Sequence, residues 1–429
     1  MIRKIVATSS VRVLHAASNV LMLLLATNYL GSEQWGLSGI ILLDVSLILL
    51  FADMVGNSLV YYASKRNAKT LFLWSLLWLV STILFSGILF LLLKRIPEFS
   101  QYLLPDGFET AILAMVFLSG LQGIQLNLLL GKEKIKIFNA LFLLQFVLLL
   151  LAFSVMIFIL DERSAWGFVF AQMFSYAVAN LFALVALFNQ KLLTSALPRA
   201  TLRELLGFGT ITQVSSVVHL LNKRLGYYFI SKTLGLGAVG VYSSGVQLAE
   251  GLRLIGQSIA LVQMSAISNR DDKEFAKQLT LQLLKLSFVL TLGGVLILNI
   301  IPASWYGMIF GRDFQEIKTI VLCLSPGVLA LAANAVFSHF FSGSGIPTYN
   351  LKASFNGFVV SVLALLLLIP YFGMNGAAIS ASLAYIAAII YQWFVFRKLT
   401  NSSLQDLLIS SKDIRTILAS LKHFMRQQQ

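Results

Sequence analysis

The chain has 429 residues, of which 58% are hydrophobic and only 12% are charged. About a quarter of the residues of a soluble domain are charged, so this composition excludes an ordinary soluble protein. The formal net charge of +14 would suggest a nucleic-acid partner for a soluble protein. In a membrane protein the same excess of Lys and Arg marks loops that face the cytoplasm, and no nucleic-acid partner is expected.

Apolar runs of about twenty residues recur along the chain, and each is long enough to cross roughly 30 Å of hydrocarbon as a helix. Because lipid offers the backbone no hydrogen-bond partners, we expect every one of them to be helical. The predicted spans are 6–29, 37–62, 70–93, 108–130, 136–160, 165–188, 207–231, 238–264, 279–301, 318–341, 351–372 and 375–396.

The loops between these spans differ in basic charge. With the N-terminus inside, 21 basic residues lie on the cytoplasmic side and 6 on the outer side, which predicts cytoplasmic termini. The predicted organisation is a first lobe of six spans, a cytoplasmic linker, a second lobe of six spans and a basic amphipathic tail on the inner leaflet. These regions are 1–190, 191–205, 206–397 and 398–429.

A sequence repeat relates the two predicted lobes. The pattern Leu-Gly-x-x-x-x-Gly occurs at 30–36 and at 234–240 and nowhere else, an offset of 204 residues. At the same offset His15 falls on His219. Six spans return the chain to its starting side, so the copies would be parallel, as in several transporter folds. The alternative is that glycine simply favours tight outer hairpins.

Polar side chains within the spans define a predicted site, because ionisable groups at bilayer depth are costly and usually face a cavity or a partner. Arg12, His15 and Asn19 share one helical face of span 1. The predicted cavity residues are Arg12, His15, Asn19, His219, Asn222, Lys223, Arg224 and Arg253, and the candidates for ion coupling are Asp53 and Glu250.

Structural roles for these groups stay open. Glu250 and Arg253 stand three residues apart and could neutralise each other as a strut, and the histidines could be satisfied core residues. Asp44 and Asp53 are nine residues apart, which places them on opposite faces of a helix. They cannot form one carboxylate pair.

A cavity lined mainly by cations favours an anionic ligand, and guanidinium groups suit phosphate by their bidentate geometry. The chain has no Walker A loop, no HExxH, no CxxC and no paired-carboxylate signature. We therefore expect transport rather than catalysis, with no cofactor and no metal. The single cysteine, Cys323, excludes an intrachain disulfide.

Several short segments occur in a characteristic order. They are 29–36 (YLGSEQWG), 222–224 (NKR), 234–242 (LGLGAVGVY), 310–314 (FGRDF), 343–345 (GSG) and 368–378 (LIPYFGMNGAA). Through them the chain resembles the Wzx-type polysaccharide and O-antigen flippases of the multidrug/oligosaccharidyl-lipid/polysaccharide (MOP) exporter superfamily, up to about residue 398.

The resemblance implies an all-α integral membrane fold of about twelve helices, in two pseudo-symmetric six-helix lobes around a V-shaped cavity. It implies a bacterial cytoplasmic (inner) membrane protein that moves undecaprenyl-pyrophosphate-linked oligosaccharide to the outer leaflet by alternating access, driven by an ion gradient. Such transport would serve polysaccharide synthesis such as that of O-antigen and lipopolysaccharide. The implied partners are membrane lipid, a polysaccharide polymerase and a chain-length regulator.

Two other classes of function stay open. A multidrug or small-molecule antiporter of the same fold would need an acidic, aromatic-lined cavity for organic cations. A membrane enzyme, such as an O-antigen polymerase or ligase, would need a large outer loop with catalytic residues. The longest predicted outer loops, 94–107 and 302–317, are too short for that.

Overall fold

The structure is a computed structural model. It describes residues 2–63, 65–95, 105–189, 198–253 and 272–407, together with the single positions 256, 263 and 267. At residues 2–17, 57, 208–212, 214–216, 219 and 222–224 it describes the backbone alone. All regular secondary structure within these ranges is helical.

The helices follow the predicted spans closely. In chain order they are α1 Ile2–Tyr62, α2 Ala68–Leu93, α3 Glu109–Gly131, α4 Ile135–Phe158, α5 Ala165–Asn189, α6 Leu202–Leu234, α7 Leu236–Gly251, α8 Lys273–Ile300, α9 Ala303–Phe310, α10 Ile317–Gly343 and α11 Thr348–Thr400, with 3₁₀ turns at Arg312–Phe314 and Leu404–Leu407.

Two of these helices are too long for one crossing. A straight helix of the 53 residues of α11 would be about 80 Å long, whereas a span needs about twenty residues. The chain breaks at Gly31 in α1 (φ 77°) and at Gly373 in α11 (φ 55°), a left-handed region that glycine enters without steric cost. Each long helix therefore supplies two predicted spans, joined by a break at one residue rather than by a loop.

Eight helices of the described ranges are long and apolar enough to cross a membrane. Two of them are the broken helices α1 and α11, so the eight account for ten of the twelve predicted spans. The other two predictions correspond to α6 and α7. Helix α7 ends at Gly251. The predicted end of span 8 at residue 264 lies in a stretch of which only isolated positions are described, so that end stays a prediction.

Two further predictions meet the structure only in part. The outer loop predicted at 302–317 contains the short helix α9 and a 3₁₀ turn, so it is a folded segment. The predicted amphipathic tail begins at 398, where α11 continues to Thr400. Residues 408–429 lie outside the described ranges.

The chain divides into two compact units. The first comprises Met1–Ser244 and Ser304–Glu316, and the second comprises Gly245–Ala303 and Ile317–Gln429. The lobe boundary expected at 191–205 stays a prediction.

In the first unit, apolar side chains of α1 to α5 form a continuous core. Val55, Leu71, Ile112 and Leu129 are fully buried within it. Polar side chains also join helices there: the Gln145 amide donates to Ser175 Oγ at 3.2 Å. Hydrogen bonds of this kind hold helices together inside membranes, where burial of apolar surface drives association weakly.

The glycine repeat has the same backbone geometry in both copies. Gly31 has φ 77° and ψ 176°, and Gly235 has φ 85° and ψ 176°. Each lies where one helical segment ends and the next begins. The structure thus confirms the repeat at an offset of 204 residues at these positions.

The second glycine of each copy lies in a helix crossing. A Cβ on Gly36 would overlap the carbonyl oxygen of Leu236, and a Cβ on Gly240 would overlap that of Ser32. The two copies of the motif therefore pack on each other with their backbones in direct contact. Close approach of this kind depends on residues without a side chain.

The segment 304–316 packs against the break in α1. Asn28 Nδ2 donates to the carbonyl oxygen of Ile309 at 2.7 Å, and Ser32 Oγ donates to Asp313 Oδ2 at 3.0 Å. Both side-chain contacts are exposed. They attach this folded segment to the break in α1.

The second unit has an aromatic core at one end of α8, α10 and α11. Phe337, Phe340 and Phe396 pack with ring centroids 4.9–5.1 Å apart where Phe396 meets the other two. Ser382 Oγ donates to the Cys323 carbonyl at 2.7 Å, which links the second segment of α11 to α10.

Candidate functional site

For most residues of the predicted basic site, the structure describes the backbone but not the side chain. Its backbone belongs to helices α1 and α6, as the sequence predicts, and the arrangement of its side chains stays a prediction. The residues concerned are Arg12, His15, His219, Asn222, Lys223 and Arg224.

The other four predicted site residues are described. Asn19 is exposed on α1, and Arg253 is half-buried just beyond the end of α7. Asp53 lies in the first unit, and Glu250 and Arg253 lie in the second.

Asp53 lies against a polar contact between α1 and α3. Its Oδ1 is 3.1 Å from the position that a Cβ on Gly56 would occupy, and the Gly56 carbonyl accepts a hydrogen bond from Asn127 Nδ2 at 3.1 Å. Asp44, nine residues earlier, faces α6 instead. The two carboxylates thus serve different helix contacts, as their spacing predicts.

Glu250 is held by a tyrosine of another helix. Tyr385, in the second segment of α11 and 4% exposed, donates its hydroxyl hydrogen to Glu250 Oε1 at 2.5 Å. A hydrogen bond to an ionised acceptor is shorter and stronger than a neutral one. Tyr385 therefore fixes the position of the one carboxylate that the sequence assigns to ion coupling in this unit.

The first unit contains a similar pair that the sequence analysis did not place in the site. Tyr228 of α6 donates to Asp44 Oδ1 at 2.6 Å, and Asp44 is 6% exposed. The available signal was an ionisable residue in the middle of a predicted span. Its partner is 184 residues away in sequence, so no local pattern reveals the pair.

Each unit thus holds a carboxylate that accepts a hydrogen bond from a tyrosine hydroxyl of another helix. Such a group can exchange a proton or attract a cation. Within the described ranges, no group of three His, Cys, Asp or Glu side chains could hold a metal ion.

A neutral amide network lies in the second unit. Gln392, fully buried, accepts from Asn334 Nδ2 at 3.0 Å and donates to Ser338 Oγ at 3.1 Å and to Asn350 Oδ1 at 3.3 Å. Nearby, His339 Nδ1 lies 2.8 Å from the carbonyl oxygen one turn back. The hydrogen bonds of Gln392 join α10 to both segments of α11.

The family comparison agrees with this architecture. A family model described as "Polysaccharide biosynthesis protein" matches residues 27–319, which is more than half of the chain. An uncharacterized membrane protein of Methanocaldococcus jannaschii is 23% identical over 228 residues. That alignment covers 52% of this chain and 44% of the relative, less than half of the relative's own length.

Solved structures with the same fold are transporters. A multidrug resistance MATE family transporter of the MOP superfamily, in an inward-facing conformation, aligns with a TM-score of 0.72 and 16% identity over 90% of this chain and 96% of that one. The lipid II flippase MurJ, in an inward closed conformation, aligns with a TM-score of 0.69 and 15% identity over 100% of both chains.

A third structure is informative about the binding pocket. It is a MOP superfamily transporter from Pyrococcus furiosus, for which a reverse polarity of the binding pocket suggests a different function. It aligns with a TM-score of 0.62 and 15% identity over 93% of this chain and 96% of that one. From the matched family and the fold, this chain belongs to the polysaccharide biosynthesis protein family and is an all-α, multi-pass membrane protein whose fold is the one seen in transporters of the MOP superfamily.

Proposed function

We propose that this protein is a flippase for undecaprenyl-pyrophosphate-linked polysaccharide repeat units, which it moves from the cytoplasmic to the outer leaflet. The observation that carries the proposal is the family match over residues 27–319. It connects a chain with a transporter fold to polysaccharide synthesis. The full-length structural alignment with a lipid II flippase supports a flippase role for this fold.

The basic residues of the predicted site suit that cargo. Arg12, Lys223, Arg224 and Arg253 would supply positive charge at membrane depth, and guanidinium groups bind phosphate oxygens in pairs. An inside-negative potential favours outward movement of an anion by about 2.3 kcal/mol per charge per 100 mV. The polar groups His15, Asn19, His219 and Asn222 would contact the sugars.

Ion coupling would use the intramembrane carboxylates. Glu250 has a fixed hydrogen-bond donor in Tyr385, and Asp53 lies at a polar contact between α1 and α3. Protonation of either group would remove a charge from the membrane interior and change the balance between inward-open and outward-open states. The two-lobed alternating-access cycle and the coupling ion are parts of this proposal.

The cellular setting follows from the same proposal. The excess of basic residues in alternate loops favours cytoplasmic termini, and the cargo requires the bacterial inner membrane. A polysaccharide polymerase would use the flipped units and a chain-length regulator would limit their number, in a pathway such as O-antigen or lipopolysaccharide synthesis.

The test is complementation of a strain that lacks this protein. We expect Arg12→Ala and Arg224→Ala each to abolish surface polysaccharide while the protein stays inserted at its normal level. Arg203→Ala is the matched control, because Arg203 is an exposed basic residue in the first turn of α6. Arg12→Lys and Arg224→Lys would show whether bidentate geometry matters beyond charge.

Full complementation by both alanine variants would overturn the cationic-cavity mechanism. If the strain that lacks this protein keeps its surface polysaccharide but becomes less resistant to organic cations, the protein is a multidrug antiporter instead. Direct transfer of a lipid pyrophosphate oligosaccharide across reconstituted vesicles would support the flippase.

A further inference from the structure

A cleft of about 530 Å³ lies between the second segment of α1 and helix α2 of the first unit. Its wall on α2 runs from Trp78 to Leu93, which is about 22 Å along the helix axis. Phe51 and Phe85 are 57% and 67% exposed and form its open edge. The volume is that of a small-molecule site, and because the helices span the membrane, an amphiphile can enter from the lipid.

One carboxylate reaches this mainly apolar cleft. Asp44 lines it and is 6% exposed. Its Oδ1 accepts the hydrogen bond from Tyr228, while Oδ2 is buried and has no hydrogen-bond partner among the residues that the structure describes. A buried carboxylate oxygen without a donor is costly. Asp44 is therefore suited to a ligand that brings a hydrogen-bond donor and a positive charge.

Four of the five other polar side chains that line the cleft have their hydrogens engaged. The hydroxyls of Ser81 and Thr82 donate to carbonyl oxygens one turn back in α2, at 2.8 and 2.9 Å. The Trp78 indole donates to a backbone carbonyl of α1 at 2.8 Å, and Tyr228 donates to Asp44. These four side chains offer a ligand oxygen lone pairs and aromatic faces rather than donors, so they suit a ligand that brings its own donors.

We propose that the cleft binds a long-chain primary ammonium amphiphile, with the ammonium group on Asp44 and the alkyl chain along α2 toward Leu93. An ammonium group carries three donors and no acceptor, which matches the acceptors that Asp44 and the other polar side chains present to the cleft. Aromatic faces attract cations, and Trp78, Phe51 and Phe85 all line the cleft. The apolar part of the cleft wall would bind the alkyl chain, because removing apolar surface from water is favourable.

This site is additional to the proposed flippase function and uses none of the basic residues assigned to pyrophosphate. It matches the property expected of a cavity for organic cations, an acidic group among aromatic side chains. An anionic headgroup would be repelled by the Asp44 carboxylate. The same alkyl chain with a neutral headgroup would lack the positive charge with which the Asp44 carboxylate can pair.

The test uses the full-length protein in phosphatidylcholine nanodiscs at about pH 9, where a primary amine is still protonated. The probes are three brominated twelve-carbon chains that end in a primary amine, an alcohol or a carboxylate, and the readout is saturable quenching of tryptophan fluorescence. Trp78 lines the cleft, so Trp78→Phe should remove the saturable part of the signal. We expect the amine to bind roughly ten- to hundredfold more tightly than the alcohol, and the carboxylate more weakly than either.

Asp44→Asn should remove this preference, because the amide can still accept from Tyr228 but carries no charge. Asp53→Asn is the matched control, the same change on the same helix outside the cleft lining, and should keep the preference. Ser81→Phe, at an exposed residue of the cleft lining, fills part of the cleft and should weaken binding of the amine, which covers the case in which Asp44→Asn does not fold. Equal affinity for the three headgroups, an unchanged preference in Asp44→Asn, or undiminished binding of the amine by Ser81→Phe would each overturn the proposal.

Discussion

Gly36 and Gly240 face each other across a helix crossing, although 204 residues separate them. A Cβ on Gly36 would lie 2.8 Å from the Gly240 nitrogen, and a Cβ on Gly240 would lie 3.1 Å from the Gly36 nitrogen. The relation is reciprocal, as expected where two copies of one motif pack around a local two-fold axis. The repeat in the sequence therefore produces a contact in which each copy supplies the surface that the other needs.

The first prediction concerns this crossing. We expect Gly36→Ala to lower the free energy of unfolding by at least the roughly 1–3 kcal/mol typical of overpacking, because the added Cβ would meet backbone rather than a movable side chain. Thermal unfolding of the detergent-solubilised protein, followed by size-exclusion chromatography, measures the loss.

Gly123→Ala is the matched control for that substitution. Gly123 is also a helical glycine, in α3, but no atom of the described residues lies within 4 Å of its added Cβ. Alanine there should be neutral or stabilising by up to about 1 kcal/mol. Equal melting temperatures for Gly36→Ala and Gly123→Ala would show that the crossing tolerates a side chain.

The second prediction concerns the outer segment that packs on α1. Ser32 and Asp313 are joined by a hydrogen bond of 3.0 Å, so cysteines at both positions should be close enough to cross-link under oxidation. The background is Cys323→Ala, which removes the single native cysteine. If this contact must separate to release cargo on the outer side, the cross-linked protein should stop transporting and recover on reduction.

The Ser32→Cys and Asp313→Cys single variants are the controls and should be insensitive to oxidant. Lipid-oligosaccharide transfer in reconstituted vesicles is the measurement. Unchanged transfer by the fully cross-linked protein would mean that the outer segment and α1 stay together throughout the cycle.

The third prediction concerns the Glu250–Tyr385 pair. Tyr385→Phe removes the donor at 2.5 Å and leaves a half-buried carboxylate oxygen without this partner. We expect a loss of about 1–3 kcal/mol in the free energy of unfolding, measured by thermal unfolding in detergent. Tyr371→Phe, the same change on the same long helix at a side chain that is 82% exposed, should have no measurable effect. A loss of the same size in both variants would argue against a specific role for the pair.

The fourth prediction concerns pH and the ion pair beside the first turn of α6. Arg66 Nη2 lies 2.7 Å from Glu204 Oε1, and this hydrogen bond holds the pKa of Glu204 below its ordinary value of 4.5. A carboxylate with a lowered pKa stabilises the folded state above its unfolded pKa and loses that contribution as the pH falls through the folded pKa.

Glu204→Gln should therefore lower the melting temperature slightly at neutral pH, and the two proteins should converge well below pH 4.5. The effect should be small and should shrink in high salt, because the pair is about one-third exposed. Glu133→Gln, the same change at an exposed residue, is the control at each pH. A difference between the Glu204 variant and the native protein that persists unchanged in acid would contradict the assignment.

The sequence by itself determined the class of the protein and most of its helices. The length and apolarity of each run are local properties, and the bilayer requires such runs to be helical. The glycine motif at 30–36 and 234–240 also identified the repeat, because a left-handed glycine and a close helix crossing both depend on the absence of a side chain.

Only the tertiary structure decided which polar groups meet. Asp44 and Tyr228 are 184 residues apart, and Glu250 and Tyr385 are 135 apart. Such pairs depend on how distant helices pack, and helical periodicity reports only the face on which a residue lies. For the same reason the sequence placed Asp53 in the predicted site and left out Asp44, whose position beside the α1–α2 cleft depends on the packing of α2 and α6 around α1.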